Sequence, residues 1–313
     1  MTRVLAVDVG ATKFAAAVVD RDGAIHTRVE RPIAGADPTA VLRGVLVEAG
    51  TTGVEAVGVG TAGPLDRGRG TVSPVNIPAW RDFPLTATIG GWLPGVPVAM
   101  AGDAQCMALG EWWRGPAADA GGCLLGIVVS TGIGGGLVLD GRPHLGPTGN
   151  AGHIGHITVD PHGERCPCGA TGCVETYASG PAMVRWAAAR GWSPPAGPAD
   201  ARALAESARA GDAVARAAFD RAADALATGL LTTAALVDLD RVIVGGGVAA
   251  AGETLLAPIR RALAAREGMA FLRRLEVRAS TLGRDGGLYG AAALAYQSAM
   301  SPAAVGRNPQ DSR

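Results

Sequence analysis

The chain opens on an apolar run, Val4-Leu5-Ala6-Val7-Asp8-Val9-Gly10, then a small polar turn through Thr12-Lys13, then a second apolar run from Phe14 to Val19. Short apolar runs bounded by turn residues predict buried strands. The pattern is therefore strand, tight turn, strand, with Asp22-Gly23 making the next turn. The same unit recurs as Leu124 to Ser130, then Thr131-Gly132-Ile133-Gly134-Gly135-Gly136, then Leu137 to Leu139. Two hairpins, each with a glycine-rich first turn, form a weak internal repeat and point to two lobes of related design. Between them, Val54 to Gly60 reads as a buried strand ending in Thr61-Ala62-Gly63-Pro64, and Val96 to Ala101 as another, broken at Gly102-Asp103. A helical pattern starts near Ala104 and carries Met107, Leu109 and Trp112. Further on come a long Ala- and Leu-rich helical region from Ala213 to Leu239, a short strand at Arg241 to Val244 that feeds Gly245-Gly246-Gly247 and a helix, and a helix from Leu288 to Ala299. Residues 193–200 read as a loop, and residues 301–313, polar with two prolines, as a disordered tail. Strands alternating with helices, and glycine turns at strand ends, predict an α/β architecture.

Composition narrows the function classes. A chain of 313 residues is too long for one typical core and fits two lobes. With 28 basic and 28 acidic residues it has no net charge, so it offers no electrostatic footprint for nucleic acid or an anionic membrane. Any anion it binds is held by local geometry. No apolar stretch reaches the roughly 18 residues of a membrane span. Met1-Thr2-Arg3 runs directly into a strand without a signal peptide's pattern, which predicts a cytoplasmic protein. Of the five cysteines, Cys166, Cys168 and Cys173 crowd together, while Cys106 and Cys123 stand alone. An odd count in a reducing compartment argues against a disulfide framework and for metal ligation.

Five constellations carry candidate chemistry. In Asp8-Val9-Gly10-Ala11-Thr12-Lys13, glycine lets the backbone approach a phosphate, Thr12 offers a hydroxyl, Lys13 a cation, and Asp8 a ligand for hydrated Mg²⁺; the alternative is an ordinary hairpin with a polar turn. Four glycines among positions 132–136 are costly in a strand and make sense where a ligand or another backbone comes close. Val244-Gly245-Gly246-Gly247-Val248 suits a nucleotide face, or simply a tight strand-to-helix turn. Asp103, where a buried strand ends, is placed for a general base, although Asp is also a favoured helix N-cap. The most specific is His156, nine residues, then Cys166-Pro167-Cys168-Gly169-Ala170-Thr171-Gly172-Cys173. Three thiolates and an imidazole make a tetrahedral zinc set with no open position, which predicts a structural site; the alternative is a cluster of buried thiols without metal. Gly169 and Gly172 supply the turns that bring Cys173 round, and His153 and His162 stand near enough to compete with His156 as ligand.

Together these motifs resemble the ROK family of sugar kinases and sugar-responsive repressors, from Asp8 to Tyr289 and most specifically at Gly155-His156 with Cys-x-Cys-Gly-x-x-Gly-Cys-x-Glu, ending at Glu175. The resemblance implies the two-lobed actin/hexokinase-like (ribonuclease H-like) α/β fold with a cleft between lobes. Residues 1–104 would form a small N-terminal lobe to which a helix at about 288–300 returns, and residues 105–287 a large lobe with the zinc site. It implies that Asp8, Gly10, Thr12 and Lys13, with Thr131, Gly132 and Gly134, bind phosphate, and that Gly245, Gly246 and Gly247 lie on the adenosine side. Asp103 matches the catalytic base. Asn76, Asp103, His156 and Glu175 match sugar-contacting positions, Gly63 lies in a matching loop, and His156 serves both zinc and sugar. The implied cofactors are structural zinc and Mg²⁺ with ATP; the implied partners are ATP, a small sugar and further copies of the chain in a dimer or tetramer.

Two departures bear on substrate. Gly102 stands where the family has Asn before the base, and His153 stands at a sugar-contacting Glu position in Ala151-Gly152-His153-Ile154-Gly155-His156. Family members that phosphorylate N-acetylmannosamine look similar here, which favours phosphorylation of that sugar at the 6-hydroxyl, with a glucokinase as the alternative. A sugar-binding transcriptional regulator of the same family is the reading from another class; such regulators carry a helix-turn-helix before the first strand, where only Met1–Arg3 stand here.

Overall fold

Burial patterns follow the apolar runs closely in the first hairpin. Strand β1 (Arg3–Val9) pairs antiparallel with β2 (Lys13–Asp20), and apart from Arg3, Lys13 and a half-buried Asp8 both strands are buried throughout. The structure, a computed structural model, describes residues 2–74, 76–115, 121–266 and 268–300; the tail expected at 301–313 lies outside the described residues. Strand β3 (Ile25–Pro32), a polar edge strand, continues the antiparallel ladder from β2. Helix α1 (Pro38–Ala49) starts on Asp37, whose carboxylate accepts the Thr39 and Ala40 N–H groups, and ends at Gly50. It covers one face with Leu42, Val45 and Leu46. Strand β4 (Val54–Thr61) then runs parallel to β1, followed by the small ribbon of β5 (Leu65–Asp66) and β6 (Thr71–Val72) and by helix α2 (Leu85–Trp92). Strand β7 (Val98–Gly102), parallel to β4, feeds helix α3 (Asp103–Arg114), and the sheet order is β3-β2-β1-β4-β7.

The second glycine-rich hairpin repeats this plan. Strand β8 (Cys123–Val129) pairs antiparallel with β9 (Ile133–Leu139), and the chain then makes the short strand β10 (Arg142–His144). Helices α4 (Val174–Ala178), α5 (Gly180–Ala188), α6 (Ala201–Ala210) and α7 (Ala213–Val237) follow the zinc-type knuckle. Strand β11 (Arg241–Gly245) lies parallel to β8, helix α8 (Glu253–Ala264) follows, and β12 (Glu276–Ala279) lies parallel to β11. The chain ends its described course in helix α9 (Gly286–Met300).

Two compact units result. The first takes in the described residues of Met1–Asp119, Gly141–Ala151 and Arg284–Arg313, the second those of Ala120–Asp140 and Gly152–Gly283. Each has its own core: Leu5, Val7, Phe14, Leu42, Trp80 and Ile89 are central to one, Leu125, Ile127, Phe219, Leu226, Val242 and Leu255 to the other. Helix α3 stays with the first unit because α9 lies directly along it, with Gly110 against Gly286 and Gly290. Helix α9 starts at Gly286 and packs on β1, β4 and α3. Among the described residues no helix is long and apolar enough to cross a membrane.

Candidate functional site

In the first unit the three parallel strands end side by side. The registers Val9↔Thr61 and Thr61↔Gly102 put Asp8, Gly10, Ala62 and Asp103 at one edge of the sheet, where a parallel sheet presents its ligands. Asp103 is the first residue of α3 and is exposed; its Oδ1 accepts the Ala104 N–H at 2.7 Å. The alternative role of helix cap falls to Gly102 instead, whose N–H donates to Gln105 Oε1 at 2.8 Å. Loss of surrounding water pushes the Asp8 carboxyl up to about 7, and the charge of Asp103 adds to the rise; Lys13 opposes it. The two carboxylates thus sense each other. Behind them lies the fully buried Cys106, its thiol pushed well above the usual range by burial, and so chemically quiet.

Thr12 and Lys13 are exposed at the β1–β2 turn, but the Lys13 ammonium is engaged with Glu30 at 2.8 Å. Glu30 also takes Arg28, and Arg28 in turn takes Asp285 just before α9, both at 2.8 Å. Sequence reading had no access to this chain of charges, because its outer links, Lys13–Glu30 and Arg28–Asp285, join different elements. The loops of Gly63 and of the exposed Asn76 are tied by the Ser73 N–H on the Pro64 carbonyl at 2.9 Å.

In the second unit three segments converge on Ser130. The Gly180 N–H at the start of α5 donates to the Ser130 carbonyl at 2.9 Å, and the Val248 N–H donates to the Val129 carbonyl at 2.9 Å, with Gly246 against Val129 and Gly247 near Ser130; Thr131 is exposed. Glu175, near the start of α4, reaches the same turn: its Oε2 accepts the Ile133 N–H at 2.7 Å. A Cβ on Gly132 would stand 2.7 Å from that oxygen, so glycine there makes room for the carboxylate. The rest of the glycine run lies in a strand. Gly134, Gly135 and Gly136 belong to β9, paired with Val128, Ile127 and Gly126. At Gly135 the close neighbour is backbone, the Gly152 carbonyl, which a Cβ would approach to 2.5 Å.

The cysteine knuckle brings His156, Cys166, Cys168 and Cys173 together, with all four ligand atoms within 4.8 Å of one another. Cys168 Sγ lies 3.7 Å from Cys173 Sγ, and Cys166 Sγ lies 3.8 Å from His156 Nδ1. A tetrahedral centre with Zn–S bonds of about 2.3 Å has S–S edges of about 3.8 Å, so the donor set has the size of a zinc site. The competing histidines are elsewhere: His162 is not in the cluster, and the ring of His153 lies parallel to that of His156 at 6.1 Å. Burial pushes the Cys173 thiol up to about 12, so a cation is what would take its proton away. Gly172, at φ 67°, turns the chain where a Cβ would collide with the Asp160 carbonyl at 1.6 Å. The knuckle is clamped from outside by Tyr177, which donates to Asp160 at 2.8 Å, and by Arg221 stacked 4.1 Å over the Tyr177 ring.

The profile of the ROK family matches residues 4–298. An N-acetylmannosamine kinase of Citrobacter koseri is 37% identical over 295 residues, covering 93% of this chain and 98% of the relative. A ROK family glucokinase of Streptomyces griseus, solved with glucose and AMPPNP, is 35% identical with a TM-score of 0.79, covering 94% of this chain and 99% of that one. A ROK hexokinase of Thermus thermophilus is 36% identical with a TM-score of 0.81, covering 96% and 100%. A family profile over almost the whole described chain, joined to relatives matched end to end, shows that this chain belongs to the ROK family.

Proposed function

We propose that the chain is an ATP-dependent sugar kinase that moves the γ-phosphate of ATP to the 6-hydroxyl of a hexose or N-acetylhexosamine, with N-acetylmannosamine favoured. The observation that carries this reading is the Asp8–Asp103 pair at the carboxyl ends of the parallel strands, in a chain similar over its length to named sugar kinases. Phosphoryl transfer depends on positioning and charge neutralisation more than on covalent chemistry. In the first unit Asp103 accepts the proton of the attacking hydroxyl. Asp8 holds hydrated Mg²⁺, which supplies charge neutralisation when bound; the carboxyl pushed up to about 7 is a group that a cation would stabilise in its charged form. Gly10 and Thr12 give backbone and hydroxyl contacts to phosphate, and Lys13 joins them by exchanging Glu30 for a phosphate oxygen.

In the second unit Thr131, Gly132 and Gly134 serve phosphate, and Gly245, Gly246 and Gly247 the adenosine side. For the sugar, the second unit offers His153, His156 and Glu175, and the first unit offers Gly63 and Asn76. Zinc on His156 Nδ1, Cys166, Cys168 and Cys173 is structural, and it leaves His156 Nε2 for the sugar. Such a thiolate set suits a reducing cytoplasm, and the active form is a dimer or tetramer.

The case for the amino sugar rests on His153. A Glu is an acceptor-only carboxylate that can take two sugar hydroxyls, whereas neutral His offers one donor and one acceptor. A donor there meets the carbonyl of a 2-acetamido group. Curated relatives at 35–37% identity are named N-acetylmannosamine kinases, while the structure at 35% is a glucokinase, so glucose is the second substrate reading. A transcriptional-regulator reading draws only on fold likeness, at 24% identity.

A coupled ADP-release assay over a panel of sugars tests the proposal. Sugar-dependent ADP release is expected in the wild type. Asp103→Asn should lose roughly 10²- to 10⁴-fold in kcat while still binding sugar. Absence of sugar-dependent release, or near-normal turnover in that variant, rejects the mechanism. For the substrate, a wild-type preference for glucose of tenfold or more in kcat/KM, about 1.4 kcal/mol, rejects the amino-sugar assignment and leaves the kinase reading standing.

A further inference from the structure

Gln105 lies in the first turn of α3 and is buried, only 4% exposed. Its amide is committed three times. Oε1 accepts the Gly102 N–H at 2.8 Å, and Nε2 donates to the Gly149 carbonyl at 3.2 Å and the Ala151 carbonyl at 2.8 Å. This leaves the amide a single sensible orientation, because a flipped group would set oxygen against two carbonyls.

The position of these bonds matters more than their number. Asp103 is exposed, and its carboxylate takes the Ala104 N–H, so its direction follows the backbone of residues 102–104. Gly102, the cap of that helix, has no side chain with which to fix the turn. Gln105 fixes it instead. At its other end the same amide grips Ala151, the last residue of the first unit before the chain passes to the second at Gly152.

We propose that Gln105 is a positioning residue for the reaction: one buried amide sets the direction of the Asp103 carboxylate by locking the Gly102–Ala104 turn onto the carbonyls of Gly149 and Ala151. This rests on the reading of Asp103 as the base. The chain crossing at 151/152 and the aim of the base are then mechanically joined. A displacement of the 149–151 segment is felt at Asp103 through a single side chain. Misplacing a reacting group by even about 1 Å can cost on the order of 10²-fold in rate, so the link is large enough to measure.

A double-mutant cycle in the full-length enzyme tests it, using Gln105→Ala, Asp103→Asn and the pair. Gln105→Ala is expected to lower kcat on the order of 10²-fold while KM for ATP stays within about threefold. In the Asp103→Asn background the same substitution should cost about twofold or less, because the group it aims is already gone. An equal factor in both backgrounds, or an unchanged kcat, overturns the proposal. Failure of the base reading is seen separately, as near-normal turnover in Asp103→Asn alone. Should Gln105→Ala not fold, Gln105→Met, close in volume, is judged by the same criteria; if neither variant folds, the residue is structural and the positioning role is rejected.

Discussion

Asp8 has a titration that reports directly on its surroundings. Its pKa, raised to about 7 by loss of water and then by Asp103, means that the folded chain binds more protons at this group than the unfolded chain does between about pH 4 and 7. Stability from this group therefore falls as pH rises through that window and stays low above it. Removing the charge should reverse the effect. Asp8→Asn is expected to raise the melting temperature of the ligand-free protein at pH 8, by a gain of up to a few kcal/mol, and to change it little at pH 4.5. Thermal melts of both proteins at the two pH values check this. An equal shift at both would mean that the substitution acts through packing. The same variant should lose sugar-dependent activity, so at this position stability and function pull in opposite directions.

Among the elements, α9 has a tight seat. It rests on α3, β4 and β1, and a Cβ at Gly290 would fall 1.6 Å from the Cys106 carbonyl oxygen. Alanine would gain about 1 kcal/mol of helix propensity there, but it forces apart two backbones that cannot yield as a side chain can, at a cost of about 1–3 kcal/mol or more. The clash wins, and Gly290→Ala should lower the urea midpoint. Gly44, in the middle of α1 with no atom within 4 Å of its would-be Cβ, is the control, and Gly44→Ala should raise the midpoint by about 0.5–1 kcal/mol of stability. If both variants move the same way, the steric account of α9 is wrong.

How much of this was legible beforehand depends on how local the information is. The hairpins β1–β2 and β8–β9, β4, α7 and α9 follow from apolar runs and glycine punctuation within a dozen or so residues. The zinc-type knuckle is equally local, its ligands packed into a short span of chain. Edge strand β3 escaped notice because its alternation is mostly polar, and β12 because Glu276-Val277-Arg278-Ala279 has a single buried apolar position. The glycines of β9 left two readings open, a ligand or another backbone close by, because a sequence cannot name the neighbour; at Gly135 it is the carbonyl of Gly152. Gln105 and the Lys13–Glu30–Arg28–Asp285 chain were out of reach for the same reason. Their partners lie tens to hundreds of residues away.

At the scale of the whole molecule, metal and charge decide what it tolerates. Structural zinc sites in small peptides contribute on the order of 10–16 kcal/mol at neutral pH, against a whole-domain stability of about 5–15 kcal/mol. Purified protein should therefore carry about one zinc per chain, and Cys173→Ser should lose both the metal and activity. Metal analysis well below that ratio in active protein would refute the zinc reading. Because the thiols must shed protons to bind the ion, affinity should fall as pH drops. Balanced charge, with 28 residues of each sign, leads us to expect little salt dependence of activity beyond the ATP contacts themselves.

The placement of α9 also fixes an order of events during synthesis. The residues of the second unit are all made once residue 283 has been added, whereas the first lacks the helix that covers β1, β4 and α3 until residues 286–300 have followed. The usual vectorial sequence, N-terminal domain first, is therefore inverted. A chain truncated after Gly283 should present a protease-resistant second unit and a first unit still open to cleavage. For most of translation the cell would carry the N-terminal sheet with its apolar face uncovered, which makes that face the natural client of whatever holds unfinished chains.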